Sequence, residues 1–141
     1  MTSTSMEITV RRDIASLGEI FDFIDSYASR QGLDSGVQFS IRLAVEELFT
    51  NMVKYNRSRT ESGIEISLEQ SASSLILRLT DFNVDAFDIR TAKEPDTAKP
   101  LGERKVGGLG IHLLKRMVDT IDYEYADGKS TVILTKNLEQ T

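Results

Sequence analysis

The rhythm of apolar and polar residues changes several times along this chain, and each change marks an element. Glu7–Arg11 alternates polar and apolar side chains, which predicts a short edge strand. From Ile14 the apolar positions Leu17, Ile20, Phe21, Ile24 and Ala28 fall three and four apart, the spacing of one helix face. Asp13 is placed to cap the first turn of that helix and Gly32 to stop it. A second, longer helix is predicted from Ser35 to about Tyr55, because Ile41, Ala44, Val45, Leu48, Met52 and Val53 form another such stripe. Arg57–Gly63 is polar and closes on glycine, a turn into Ile64–Glu69, which alternates as a strand does. After a turn at Ser71–Ser74, Leu75–Thr80 is almost continuously apolar, so the two segments predict an antiparallel hairpin.

Between Phe87 and Gly110 the periodicity fails. Both prolines, Pro95 and Pro100, lie there with four of the nine glycines and five of the seventeen basic residues. A structureless stretch longer than about 12–15 residues is uncommon inside a compact domain unless it is functional, so this segment reads as a loop or lid. Leu109–Ile121 resumes helical spacing through Leu113, Leu114, Met117 and Val118, and Tyr123–Ala126 and Ser130–Thr135, joined through Asp127-Gly128, predict a last hairpin. The order strand, helix, helix, two strands, lid, helix, two strands predicts an α+β fold: a two-layer sandwich with helices on one face of a mixed or antiparallel sheet.

Composition narrows the chemistry. The 141 residues carry 17 Lys+Arg against 22 Asp+Glu, a formal charge of −5, and no cysteine. A chain of this length buries roughly 68–70% of its unfolded surface, so residues 1–141 are read as one domain that needs no disulfide or metal to hold a core. Thiol catalysis, Cys-ligated zinc and iron–sulfur chemistry are excluded. No basic stripe exists for a phosphate backbone, so nucleic acid is not expected as a partner. Met1–Met6 is polar and no apolar run reaches about 18 residues, so a cytoplasmic protein without a membrane partner is expected.

Three groups of residues could carry chemistry. On the long helix Glu47 and Asn51 are four apart and share a face, which Lys54 and Tyr55 extend. A carboxylate, a carboxamide, an ammonium and a phenol so placed could serve as general base, magnesium ligand, phosphate contact and stacking group; the plain alternative is a solvated helix face. Gly107-Gly108-Leu109-Gly110 opens the third predicted helix, where backbone N–H groups and the positive dipole end could cradle a phosphate, or where the glycines serve only as a hinge. Asp81, closing the strand Leu75–Thr80, could accept a hydrogen bond from a purine amino group, or simply form a turn. His112, the single histidine, lacks a second histidine for a metal pair and reads as a packing or surface residue.

Taken in order, these groups resemble the GHKL ATPase family, whose domain is the Bergerat fold, and the resemblance spans nearly the whole chain. Glu47, Asn51, Lys54 and Tyr55 match its N box, Asp81 its G1 box, Gly107–Gly110 its G2 box and Thr131 its final box. The compact form, together with Ala86–Ile89 after Asp81, is similar to the anti-sigma factor serine kinases of the RsbW and SpoIIAB type. Asn83 stands where the family usually has a glycine, and Lys54-Tyr55 reads more like the N box of the sensor histidine kinases than like that of the anti-sigma kinases, which usually have histidine at the Tyr55 position.

The resemblance implies binding of ATP with Mg2+. Asn51 would hold the metal, Asp81 would read the adenine amino group, and Lys54, Tyr55, Gly107, Gly108, Leu109, Gly110 and Thr131 would contact the nucleotide. Glu47 would act as general base on a serine hydroxyl. It also implies partners: a STAS-type anti-anti-sigma protein that is phosphorylated and a sigma factor that is sequestered, with Glu7–Ala28 used for sigma-factor contact and for homodimerisation. Two alternatives have other outcomes. A catalytically silent, nucleotide-dependent binding module transfers no phosphate, and a detached histidine kinase catalytic domain yields acid-labile phosphohistidine. Lys93, Lys99, Arg104 and Lys105 are expected to order the lid over the phosphates.

Overall fold

A computed structural model describes residues 4–55, 62–71, 73–82, 84 and 114–138. The predicted lid, the glycine segment Gly107–Gly110, Asn83, the segment Ala86–Ile89 and His112 lie outside the described residues, as does the start of the third predicted helix.

The elements are β1 (Thr4–Val10), α1 (Leu17–Gln31), α2 (Ser35–Tyr55), β2 (Ile64–Ser71), β3 (Ser74–Phe82), β4 (Thr120–Ala126) and β5 (Lys129–Asn137). Local chemistry sets most boundaries. A single 3-10 turn, Ile14–Ser16, precedes α1, and the Asp13 carboxylate accepts from the Ala15 amide at its start. Gly32 ends α1 in the left-handed conformation, at φ 64°, as glycine after a helix commonly does. The Asp34 carboxylate accepts from the Gly36 amide and opens α2. Asp127 and Gly128 both have positive φ, the conformation a two-residue hairpin turn requires.

The strands form one sheet in the order β1-β2-β3-β5-β4. All four pairings are antiparallel, so of the two sheet types expected the described strands form the antiparallel one. The third predicted helix is shorter than its spacing suggested at its C-terminal end: residues 114–117 are helical, but Thr120 and Ile121 already belong to β4. There Ile121 pairs with Leu134 and Tyr123 with Val132, so cross-strand packing overrides the local helical period. β1 likewise begins three residues before the predicted strand, at Thr4.

Alternation sorts the strand residues between two faces. Ile64, Ile66, Leu68, Leu75, Leu77, Leu79, Val132 and Leu134 point to one side, where they join Ile20, Phe23, Ile24 and Tyr27 of α1 and Ile41, Val45, Leu48, Phe49 and Met52 of α2 in one core. Asp81 follows Leu75, Leu77 and Leu79 on the same face, so the sheet aims its carboxylate at the helix layer.

Gly63 lets the end of β1 come close to the start of β2. A Cβ there would stand 2.6 Å from the Val10 carbonyl oxygen and 2.9 Å from Thr9 Cγ2. Gly63→Ala must push backbone aside and is expected to cost about 1–3 kcal/mol. Urea denaturation should show a lower midpoint with an unchanged slope.

Candidate functional site

Helix geometry brings the first pair together. Glu47 and Asn51 lie one turn apart on α2, and Asn51 Nδ2 donates to Glu47 Oε2 at 2.7 Å and to the Glu47 backbone carbonyl at 2.7 Å. Asn51 is buried, and committing its nitrogen to Glu47 leaves Oδ1, a hard oxygen donor, as the atom it can offer a cation. Mg2+ keeps most of its waters and takes one or two protein oxygens alongside substrate phosphates, so a single amide oxygen fits such an ion. Among the described residues no group of three His, Cys, Asp or Glu side chains is placed to hold a metal.

Glu47 is half-buried, and burial pushes its carboxyl above the usual carboxylate range, with neighbouring Glu46 adding to the rise. The Asn51 hydrogen bond and the exposed Lys54 ammonium oppose that rise, because both favour the charged form. A carboxylate raised in this way is a better proton acceptor than an ordinary surface glutamate. Lys54 thus lies within electrostatic range of Glu47, on the last turn of α2. Tyr55 closes that helix.

Asp81 is 0% exposed. Its Oδ1 is ion-paired with Nη2 of Arg12, from the short link between β1 and the 3-10 turn. The same guanidinium donates through Nη1 to the Met52 carbonyl at 3.0 Å. One guanidinium therefore spans from the residue after Asn51 to Asp81, which places the end of β3 beside the last turns of α2.

Across the β3–β5 ladder Asp81 is opposite Ser130, and Thr80 is opposite Thr131. Directly opposed residues share a face, so Thr131, matched to the final box from sequence, projects away from Asp81 and meets Thr80, their hydroxyls 3.4 Å apart. Ser130 is the hydroxyl on Asp81's side. It is 1% exposed, and its Oγ has no hydrogen-bond partner. A buried hydroxyl without a partner is rare, and here it stands beside a buried carboxylate facing the helix layer. That pair has the chemistry for the edge of a base carrying both a donor and an acceptor, as adenine does, with Arg12 standing on the carboxylate in this structure. Sequence reasoning missed Ser130 and Arg12; the register with β3 identifies the first, and no local signal marks the second.

Below Asp81, the Val84 amide donates to the Gly128 carbonyl and the Tyr125 hydroxyl donates to the Val84 carbonyl, tying the segment after β3 to the last hairpin.

An antiparallel sheet with two helices on one face, a Glu–Asn pair on the second helix and a buried aspartate at the end of β3 together define an ATPase domain of the histidine kinase-like type. The model of the family described as "Histidine kinase-like ATPase domain" matches residues 10–136, and the chain belongs to that family. Among individual proteins it is similar to the serine-protein kinase RsbW of Listeria innocua, at 29% identity over 96% of this chain and 87% of that one. It is also similar to the serine/threonine-protein kinase BtrW of Bordetella bronchiseptica, at 23% identity over 94% of this chain and 92% of that one. The crystal structure of the RsbU and RsbW domains of Rv1364c from Mycobacterium tuberculosis shares the fold, with a TM-score of 0.70 and 16% identity, over 98% of this chain and 33% of that longer one.

Proposed function

We propose that this chain is an ATP-dependent serine-protein kinase that phosphorylates an anti-anti-sigma partner of the STAS type and thereby controls the sequestration of a sigma factor. The observation that carries the reading is Glu47, a half-buried carboxylate of raised pKa, hydrogen-bonded to Asn51 on α2, the helix whose last turn Arg12 links to Asp81 through the Met52 carbonyl.

In this reading Asp81 accepts from the adenine amino group and Ser130 completes the base's hydrogen bonding. Asn51 Oδ1 would hold Mg2+, which would supply charge neutralisation at the phosphate oxygens. Glu47 takes the proton from the partner's serine hydroxyl as its oxygen bonds to the γ-phosphorus and the bond to the β–γ bridging oxygen breaks, releasing ADP. Phosphoryl transfer is mostly positioning and charge neutralisation, so one base, one metal ligand and a phosphate cradle suffice. Gly107, Gly108, Leu109 and Gly110 are assigned the cradle, and Lys54 and Tyr55 remain nucleotide-contact candidates, whereas Thr131, on the opposite face of the sheet from Asp81, gives its place to Ser130. Among the described residues no helix is long and apolar enough to cross a membrane, and partners and a homodimer would be met through exposed surface.

The test uses the whole chain with radiolabelled Mg-ATP and a STAS-type anti-anti-sigma protein. Label on the partner that is stable to acid, as phosphoserine is, is the expected result. Acid-labile label would instead indicate a histidine acceptor, and no label a silent binding module; either overturns the proposal.

A further inference from the structure

The Asp81 carboxylate that the proposed function assigns to adenine already has a partner. Arg12 holds its Oδ1 from the link between β1 and the 3-10 turn, and Asp81 is 0% exposed, so a base cannot reach the carboxylate while this pair is closed. Arg12 is not an ordinary core residue. Its side chain is 16% exposed, it sits outside both flanking elements, and its long stem reaches inward from a backbone held locally. Asp13 N–H and Ser16 Oγ both donate to the Arg11 carbonyl, and Ser16 N–H donates to the Asp13 carbonyl. The guanidinium's second hold, on Met52 O, is one of the last four carbonyls of α2, which have no partner within the helix. A cation at a helix C-terminus is also favoured by the dipole.

The second observation is Ser130. In the closed pair its buried Oγ has no hydrogen-bond partner although it faces the same side as Asp81 across the ladder. The closed arrangement thus gives Arg12 two acceptors, Asp81 Oδ1 and the Met52 carbonyl, and strands Ser130. An adenine edge in place of the guanidinium would reverse this, giving Asp81 the 6-amino donor and Ser130 a ring nitrogen.

Resting on the base-reading role of Asp81, we propose that Arg12 is the gate of the adenine pocket: its guanidinium occupies the place on Asp81 that the adenine amino group takes, so nucleotide entry exchanges one donor for the other. A charged donor holds a carboxylate more strongly than a neutral amino group does, so the gate is closed without nucleotide and lowers apparent affinity. The exchange also makes Arg12, between β1 and α1, a part of the chain that moves when the base arrives.

Opening the gate by Arg12→Ala, which leaves room for water to hydrate Asp81, is expected to tighten Mg-ATP binding about tenfold. Mg-ITP, with a carbonyl where adenine has its amino group, should gain much less. Calorimetry of both nucleotides against wild type and variant gives the ATP-to-ITP affinity ratio, which a purely structural role of Arg12 would not raise. An unchanged or lowered ratio overturns the gate. If the variant does not fold, the wild-type chain decides: the Arg12 Nε–Hε resonance should shift on addition of Mg-ATP, and a stationary signal with ATP bound overturns the proposal. Asp81→Asn separates the two levels. Undiminished ATP affinity in that variant removes the base-reading role and the gate with it, whereas weakened binding there beside an unaltered ratio in Arg12→Ala removes the gate alone.

Discussion

Replacing Glu47 with glutamine is expected to lower phosphotransfer to the partner serine by about 10²–10⁴-fold, the usual contribution of a positioned general base. Mg-ATP affinity should stay within a few-fold, because glutamine's carbonyl oxygen can accept from Asn51 Nδ2 as the carboxylate does now. The wild-type pH profile carries a second mark of the same group. Burial holds the Glu47 carboxyl above its ordinary range, and a base works only when deprotonated. The rate should therefore be lost as pH falls through that raised pKa, earlier than for a surface glutamate, and the glutamine variant should lack this acid limb. Single-turnover rates at saturating ATP across the acidic range measure both. A variant that keeps the wild-type rate, or keeps the limb, removes Glu47 from the mechanism.

Asp81→Asn is expected to weaken Mg-ATP binding by about 10–100-fold, since one carboxylate oxygen becomes an N–H group facing the donor it should accept from. The same substitution takes the counter-charge from Arg12. Breaking a buried ion pair costs about 3–5 kcal/mol, and the partial exposure of Arg12 puts the expected loss of stability at the lower end of that range. Urea denaturation and calorimetry on the same preparation separate the two effects: binding measured where the variant is fully folded should remain weak. ATP affinity within twofold of wild type under those conditions would contradict the role given to Asp81.

Features that depend on neighbours a few residues apart are legible in the sequence, and the structure bears several of them out. Asp13 caps its turn, Gly32 stops α1 with a positive φ, and Asp127-Gly128 turns the last hairpin. The Glu47–Asn51 bond is the same kind of feature, since four residues make one helical turn whatever surrounds it. Alternation in Ile64–Glu69 likewise placed Ile64, Ile66 and Leu68 on the buried face before any partner strand was known.

Where the reading was incomplete, the deciding contact lies far along the chain. The helical period through Ile121 gives way because β5 offers that segment a ladder. Thr131 and Ser130 are neighbours in sequence but project to opposite faces, and only the pairing of β5 with β3 puts Ser130 beside Asp81. Arg12 carries no motif; in a polar link it reads as a surface charge until Asp81 and Met52 appear next to it.

By itself, then, the sequence determined the elements, their buried faces, the α+β class and the i,i+4 pair on α2, because these follow from local periodicity and from side-chain chemistry within a turn or two. The tertiary structure alone decided which hydroxyl accompanies Asp81, where the third helix yields to β4, and that Arg12 stands on the carboxylate assigned to adenine. Register and ion pairing across the fold are set by residues that meet only after the sheet has assembled.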